Sequence, residues 1–345
     1  MSQRTVRLGF VGCGYMGQLA HLHNFLALGG CEVVALAEAR PRLRELVAQR
    51  HGIPRAVASH GELAAADDLD AVVSITPETL NERIVSDLLA AGKPVMTEKP
   101  MTTSVEAGER MLAAATGGAF LMVGYMKRYD DGVREARRII DGWIAGGELG
   151  EMTFARAHSF GGQWQCGLVG QITTDEPAPD FERTPILDWV PAAAAARYNS
   201  LNNVYCHNIN LVRHLTGSEL EVEHASLTGT TWHVHCRGRC PVSLEFGWLD
   251  AHAWEEHTRI YFEHGWIEVE TPPPLLRNVP AKVTVYRAGE RPEVCQPIAP
   301  WTWAFANEAA HFVQCVREGA TPLSSGEDSL QDLRIVEDMA RRALV

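Results

Sequence analysis

Gly12-Cys13-Gly14-Tyr15-Met16-Gly17 reads G-x-G-x-x-G, set between an apolar, β-branched run from Val6 to Val11 and a helically spaced stretch from Met16 to Leu28. In that setting the glycines permit a tight turn, close approach of a pyrophosphate, and close packing of helix on strand. The free N–H groups at the helix start suit the phosphates. Gly12, Gly14, Tyr15, Met16 and Gly17 are therefore candidate cofactor residues. Glu38 stands 21 residues beyond Gly17, after the strand pattern Glu32 to Ala37, where a dinucleotide site places the acid that holds the adenosine ribose. A 2′-phosphate would meet a like charge there, so the motif favours NAD over NADP. Arg40 is the counter-signal, because a nearby arginine can pair with that phosphate. Glu98-Lys99-Pro100 follows a further strand pattern, Pro94 to Thr97. Ligands of open α/β sheets lie beyond the carboxyl ends of the strands, which turns Lys99 toward the nicotinamide end of such a cofactor. On the dipeptide alone, a solvated surface lysine is the simpler reading.

A second constellation lies far along the chain. Asn203, His207, Asn210 and His214 are spaced by 4, 3 and 4, which puts them on one polar face of a helix. His158, at the end of the strand pattern Met152 to Ser159, is a candidate substrate contact. His233, His235, Cys236 and Cys240 invite a metal reading, but Arg237-Gly238-Arg239 makes a hairpin turn and no second ligand pair has zinc spacing. No metal is expected.

The elements that would position these groups fall into two series. Over the first third, strand patterns alternate with helices of about 10–15 residues, the pattern of a doubly wound parallel sheet. A helix from about Asp131 to Ala145 and the strand from Met152 follow. Gly161 to Arg197 is polar and rich in Gly, Pro and Asp. From Glu221 to Arg287 strands succeed one another across turn signals without helical crossovers, which indicates an antiparallel sheet. Helices near Trp303–Glu318 and Gly326–Leu344 end the chain. The expected division is a dinucleotide-binding domain over 1–124 and an α+β domain over 125–345, whose last helices can pack back on the first.

Composition limits the partners. The chain has 345 residues, 31 Lys plus Arg, 43 Asp plus Glu and a formal net charge of −12. An acidic chain without a basic run lacks the footprint of a nucleic-acid binder and the polybasic patch of a membrane-surface protein. No stretch of about 20 apolar residues suggests a membrane span. Eight scattered cysteines and no apolar leader point to a reduced, cytoplasmic protein.

The motifs together resemble the Gfo/Idh/MocA oxidoreductases. The likeness is carried by the strand–GxGxxG–helix, Ser74-Ile75-Thr76-Pro77, Ala91-Gly92-Lys93-Pro94-Val95, Glu98-Lys99-Pro100, and Val123-Gly124-Tyr125-Met126-Lys127-Arg128-Tyr129. It implies a Rossmann domain followed by an α+β domain with an open, mainly antiparallel sheet that builds the substrate site and the oligomer interface. It also implies Thr76, Pro77, Glu98 and Lys99 at the cofactor, and Lys99, Tyr125, Arg128, Asn203 and His207 at the substrate. His207 falls on the family's catalytic histidine. Asn203 falls on its aspartate, a departure that removes a charge and a proton relay. Asn210 likewise replaces an aspartate, and Asn81 stands where a histidine is common. The implied activity is hydride transfer between NAD and a ring hydroxyl or ketone of a sugar or cyclitol, with His207 as base and Lys99 polarising the oxygen; Lys99 as the base is the alternative. The rivals are an NAD-dependent glycosidase and a non-catalytic NAD-binding regulator. A homodimer or homotetramer is expected.

Overall fold

The computed structural model describes residues 4–177, 179–185 and 187–345. They fall into two compact units: Met1–Gly124 with Leu168–Leu187 and Phe305–Leu330, and Tyr125–Gly167 with Asp188–Ala304 and Gln331–Val345.

The first unit is built on six parallel strands: β1 (Val6–Val11), β2 (Cys31–Ala37), β3 (Arg55–Val57), β4 (Ala71–Ser74), β5 (Val95–Glu98) and β6 (Leu121–Gly124). Their order is β3-β2-β1-β4-β5-β6, so the chain reverses direction across the sheet between β1 and β4. Five of the strands are buried along nearly their whole length, the mark of a sheet covered on both faces. β3 has no counterpart in the sequence patterning. It is a three-residue edge strand, half exposed, too short to show a period.

The helix after the glycine motif opens as a π-helix over Gly17–Leu22 and becomes α-helical only at His23–Ala27. The Asn24 side chain donates to the Ala20 carbonyl at 2.6 Å, taking an acceptor that the regular backbone ladder would use. A second π turn, Leu201–Tyr205, precedes the helix Cys206–Thr216. There the Ser200 hydroxyl donates to the Ala196 carbonyl.

The second unit is an α+β body around eight strands: β7 (Met152–Gly161), β8 (Glu221–Thr228), β9 (Thr231–Arg237), β10 (Pro241–Trp248), β11 (Glu255–Phe262), β12 (Gly265–Glu270), β13 (Lys282–Arg287) and β14 (Glu293–Cys295). The order is β14-β13-β12-β11-β7-β10-β9-β8. Only β7 and β10 pair in parallel; every other pair is antiparallel. Burial alternates along β7, β11 and β12, so one face is core and the other is wetted. The helices Asp131–Gly146 and Cys206–Thr216 cover the core face, with Trp143 edge-on to Phe262 and Tyr205 stacked on Phe246. Among the described residues, no helix is long and apolar enough to cross a membrane.

Candidate active site

In the first unit β1 ends in a turn that only glycine can make. Gly12 has φ +90°, and a Cβ there would lie 2.2 Å from the Ile75 carbonyl oxygen; one on Gly17 would lie 2.4 Å from the Gly12 oxygen. At Gly14 a Cβ would meet nothing within 4 Å, so the turn leaves open space there. Beside it is a cavity of about 690 Å³, lined by Gly12, Gly14, Glu38, Arg40, Thr76 and Pro77 among others. Its position at the reversal between β1 and β4 is where doubly wound sheets bind dinucleotides, and its volume suits a cofactor. Tyr15, Met16 and Gly17 stand off that lining. Gly17 serves the packing of the turn, and the Tyr15 hydroxyl donates to the Leu168 carbonyl at 2.7 Å.

Glu38 is buried and both its oxygens are occupied. Oε2 accepts the Cys13 amide at 2.9 Å and Oε1 the Arg40 amide at 3.1 Å. The Arg40 guanidinium grips both, at 2.8 and 3.0 Å. Burial alone would raise the carboxyl, but Arg40 and the two amides hold it below the usual carboxylate range. Arg40 is thus the ion-pair partner of Glu38 in this unit.

Sequence reasoning missed one wall of the cavity. The segment Leu168–Leu187 packs on the first unit and contributes Pro179, Phe181 and Arg183 to the lining. Its Glu176 caps the helix Pro41–His51, accepting the Arg42 and Leu43 amides at 2.8 and 2.9 Å. Gln18 brackets Ile172, accepting its amide and donating to its carbonyl. The Arg83 guanidinium lies 5.3 Å from the Phe181 ring centre. No periodicity marks such a segment, because it pairs through isolated side chains.

At the end of β5, Glu98 is buried and its Oε2 accepts the Lys99 amide at 2.9 Å. Glu98 does not line the cavity beside the glycine turn. Asn81, the departure next to the Thr-Pro strand end, accepts from the Thr76 hydroxyl at 2.9 Å and donates to the Met101 carbonyl at 3.2 Å. It therefore ties the β4 end to the loop that follows Lys99.

In the second unit, the 203–214 face divides. Asn203 and His207 are partly exposed, and the His207 ring meets Tyr125 edge-on at 6.1 Å. Tyr125 is buried, and burial together with Cys206 and Asp332 pushes its phenol well above the ordinary range, so it acts as a neutral phenol. Asn210 belongs to the interior. It accepts from Arg128 Nε at 2.6 Å and donates to Asp332 at 2.7 Å. Arg128, expected at the substrate, is 3% exposed and committed to Asn210. Arg213 adds a 2.8 Å bond to Asp332. Burial, with Arg128 and Arg137, lowers His214 to about 3, so it stays a neutral imidazole. The buried hydrogen bonds divide this polar row into a part that is partly exposed and a part that ties the helix to Arg128 and Asp332.

His158 sits on the wetted face of the sheet. Its Nδ1 is 2.9 Å from Glu245 and its ring stacks on His257 at 4.9 Å. The core face carries the helix with His207, and successive strand residues point to opposite faces, so the structure does not bring His158 to His207. Lys127 and Glu256 form a buried ion pair that also takes Asn208 at 2.8 Å; a charge sequestered this way has no periodic signature. Cys236 and Cys240 are buried while His233 and His235 point to solvent.

Residues 6–125 match the family model Gfo/Idh/MocA, described as an oxidoreductase family with an NAD-binding Rossmann fold. An inositol 2-dehydrogenase from Ralstonia nicotianae is 34% identical over 149 residues, 42% of this chain and 44% of that protein; the match thus spans less than half of the relative's length. An aldose-aldose oxidoreductase from Caulobacter crescentus has a similar structure, with a TM-score of 0.77 at 22% identity over 99% of this chain and 98% of that one. A 3-ketoreductase from Actinomadura kijaniata, in complex with NADP and TDP-benzene, has a TM-score of 0.74 at 23% identity over 99% and 98%. At those identities the likeness is one of fold.

Proposed function

We propose that this chain, whose residues 6–125 match the model of the Gfo/Idh/MocA oxidoreductases of NAD-binding Rossmann fold, transfers hydride between a nicotinamide cofactor and a ring hydroxyl or ketone of a sugar or cyclitol. One observation carries the reading: a glycine cradle opening on a cavity that holds Glu38 at the β1/β4 reversal, with Lys99 directly after β5, the strand next to β4. A nicotinamide dinucleotide held there supplies the hydride acceptor or donor. Gly12 and Gly14 would leave room for its pyrophosphate, and Glu38 would hold its ribose.

Lys99 is assigned to the substrate oxygen, where an ammonium stabilises developing negative charge. His207 is assigned the proton, which a base takes from the hydroxyl as hydride leaves the same carbon. Asn203 orients the ring or holds a neighbouring hydroxyl and moves no proton. The likeness to inositol 2-dehydrogenase supports a polyol substrate. The test is a panel of inositols, aldoses and glycosides incubated with NAD. One equivalent of free NADH per substrate consumed is expected. Glycoside cleavage without net NADH would overturn the reading in favour of the glycosidase.

NAD is the favoured dinucleotide, because a 2′-phosphate would have to displace Arg40 from Glu38. Glu38→Ser releases Arg40 for that phosphate and should lower the NAD/NADP ratio of kcat/KM at least ~10-fold, an ordinary size for a charge-assisted contact. A wild-type preference for NADP would remove Glu38 from this role.

The partner is a second copy of the chain. Phe154, Tyr261, Trp266 and Tyr286 stand opposite one another across β7, β11, β12 and β13 on the wetted face of the sheet. A row of partly exposed aromatics of that kind is a surface that association covers. Sedimentation should show a dimer or tetramer at micromolar concentration; a monomer would leave this row without its proposed function.

A further inference from the structure

Three ionisable side chains meet inside the first unit, apart from the cofactor cavity: His21, Glu98 and Glu308. His21 is 1% exposed, and its Nε2 lies 2.7 Å from Glu98 Oε1. The other Glu98 oxygen accepts the Lys99 amide. Glu308, on the helix Ala304–Glu318, is 0% exposed, and neither of its carboxyl oxygens has a hydrogen-bond partner among the described residues. Phe305, one turn earlier on that helix, packs edge-on against the His21 ring at 5.3 Å. A carboxylate with no donor in such a place is an uncompensated buried charge, which a protein avoids by keeping the group protonated. Glu98 differs, because it has both an imidazole and an amide.

We propose that His21 and Glu308 are positioning residues for Lys99, acting through the Glu98 carboxylate. The proposal rests on the reading that places Lys99 at the substrate oxygen. His21 pins one carboxylate oxygen and so fixes the other under the Lys99 amide. Glu308 closes the cluster as a neutral acid, so the buried group holds one carboxylate instead of two. The directions of titration agree. Burial would raise Glu98, but the bond to His21 and the charges of His21 and Lys99 bring it below the usual range. Burial, reinforced by the charge on Glu98, drives Glu308 well above that range. Glu98 is the charged group acting on Glu308 from the sheet, and His21 and Lys99 bear on Glu98 in turn. Ionised Glu308 would repel Glu98 and loosen its hold on the Lys99 amide.

The chain has four lysines, Lys93, Lys99, Lys127 and Lys282. Selective 15N-lysine labelling therefore isolates the Lys99 amide, which the Lys99→Met variant assigns. In His21→Leu, hydrogen exchange at Lys99 should quicken at least ~10-fold, the mark of a released local bond. Its kcat should fall while KM for NAD stays within about threefold. His21→Gln keeps an N–H donor and should recover most of both. Unchanged Lys99 exchange in His21→Leu would overturn the proposal.

Glu308→Gln supplies an independent reading on stable protein. Glu308 keeps its proton in the folded chain at a pH where the unfolded chain has released it. Wild-type stability should therefore fall as pH rises from about 5 toward the folded-state titration, by up to tenfold in the folded-to-unfolded ratio per pH unit relative to Glu308→Gln. Parallel curves for the two proteins would mean that Glu308 is ionised, and the cluster as described would fall. Full kcat in Lys99→Met would instead sink the assignment of Lys99 to the substrate and leave the exchange result to decide the cluster.

Discussion

Lys99→Met and His207→Ala should each lower kcat by about 10²–10⁴, the usual worth of one acid–base or charge-stabilising group, with NAD affinity near wild type. Methionine keeps the length of the lysine stem and removes only the charge. Alanine removes the imidazole and leaves its ring neighbour Tyr125, which is buried. If both groups act on one step, the double variant should cost less than the product of the single losses. Asn203→Asp separates the roles left for Asn203. If the asparagine orients His207, the new carboxylate favours imidazolium. The acidic limb of the pH–rate profile then moves upward while activity is kept. If Asn203 donates to a substrate oxygen, KM rises sharply instead. Full kcat in His207→Ala on a substrate that wild type turns over would remove the second-unit site altogether.

Asp332→Ala should cost about 3 kcal/mol of stability in denaturant unfolding, the lower end for removing one partner of a buried ion pair. Asp332 and Arg213 are 1% and 3% exposed. Without the carboxylate, Arg213 keeps Glu219, at 2.7 Å, but that partner is 66% exposed and compensates little. Asn210 also loses its acceptor, and Asn210 holds Arg128. Asp332→Asn keeps an acceptor without the charge and should fall between wild type and alanine. Replacing Arg213 and Asp332 together by leucines should recover much of the loss, since a packed apolar pair pays no desolvation. A loss under about 1 kcal/mol in Asp332→Ala, the size of an ordinary surface substitution, would show that the network does not hold the helix Cys206–Thr216.

The sequence alone determined what depends on local geometry. The glycine cradle was legible because a left-handed φ at Gly12 and a backbone contact at Gly17 admit no side chain, and that demand is written at fixed spacing. The alternation of strand and helix over the first 124 residues was legible because each element needs its own apolar period. The antiparallel run after Glu221 was legible because its turns carry Gly and Pro. Lys99 and His207 were singled out by motif and resemblance, which name residues without giving them neighbours.

Only the tertiary structure decided where the polar groups go. Asn203, His207, Asn210 and His214 share a helical spacing, yet Asn210 is enclosed by Arg128 and Asp332, which lie 82 and 122 residues away in the chain. Arg40 follows Glu38 by two residues, but that it grips both oxygens depends on a loop conformation no pattern encodes. His158 lies on the face of β7 away from His207 because pairing in the sheet sets which parity of residue is core. His21, Glu98 and Glu308 carry no shared spacing at all. Periodicity records which side of an element is buried; which charges meet there is settled by packing between elements distant in the chain, because a buried charge must find its partner wherever the fold brings one.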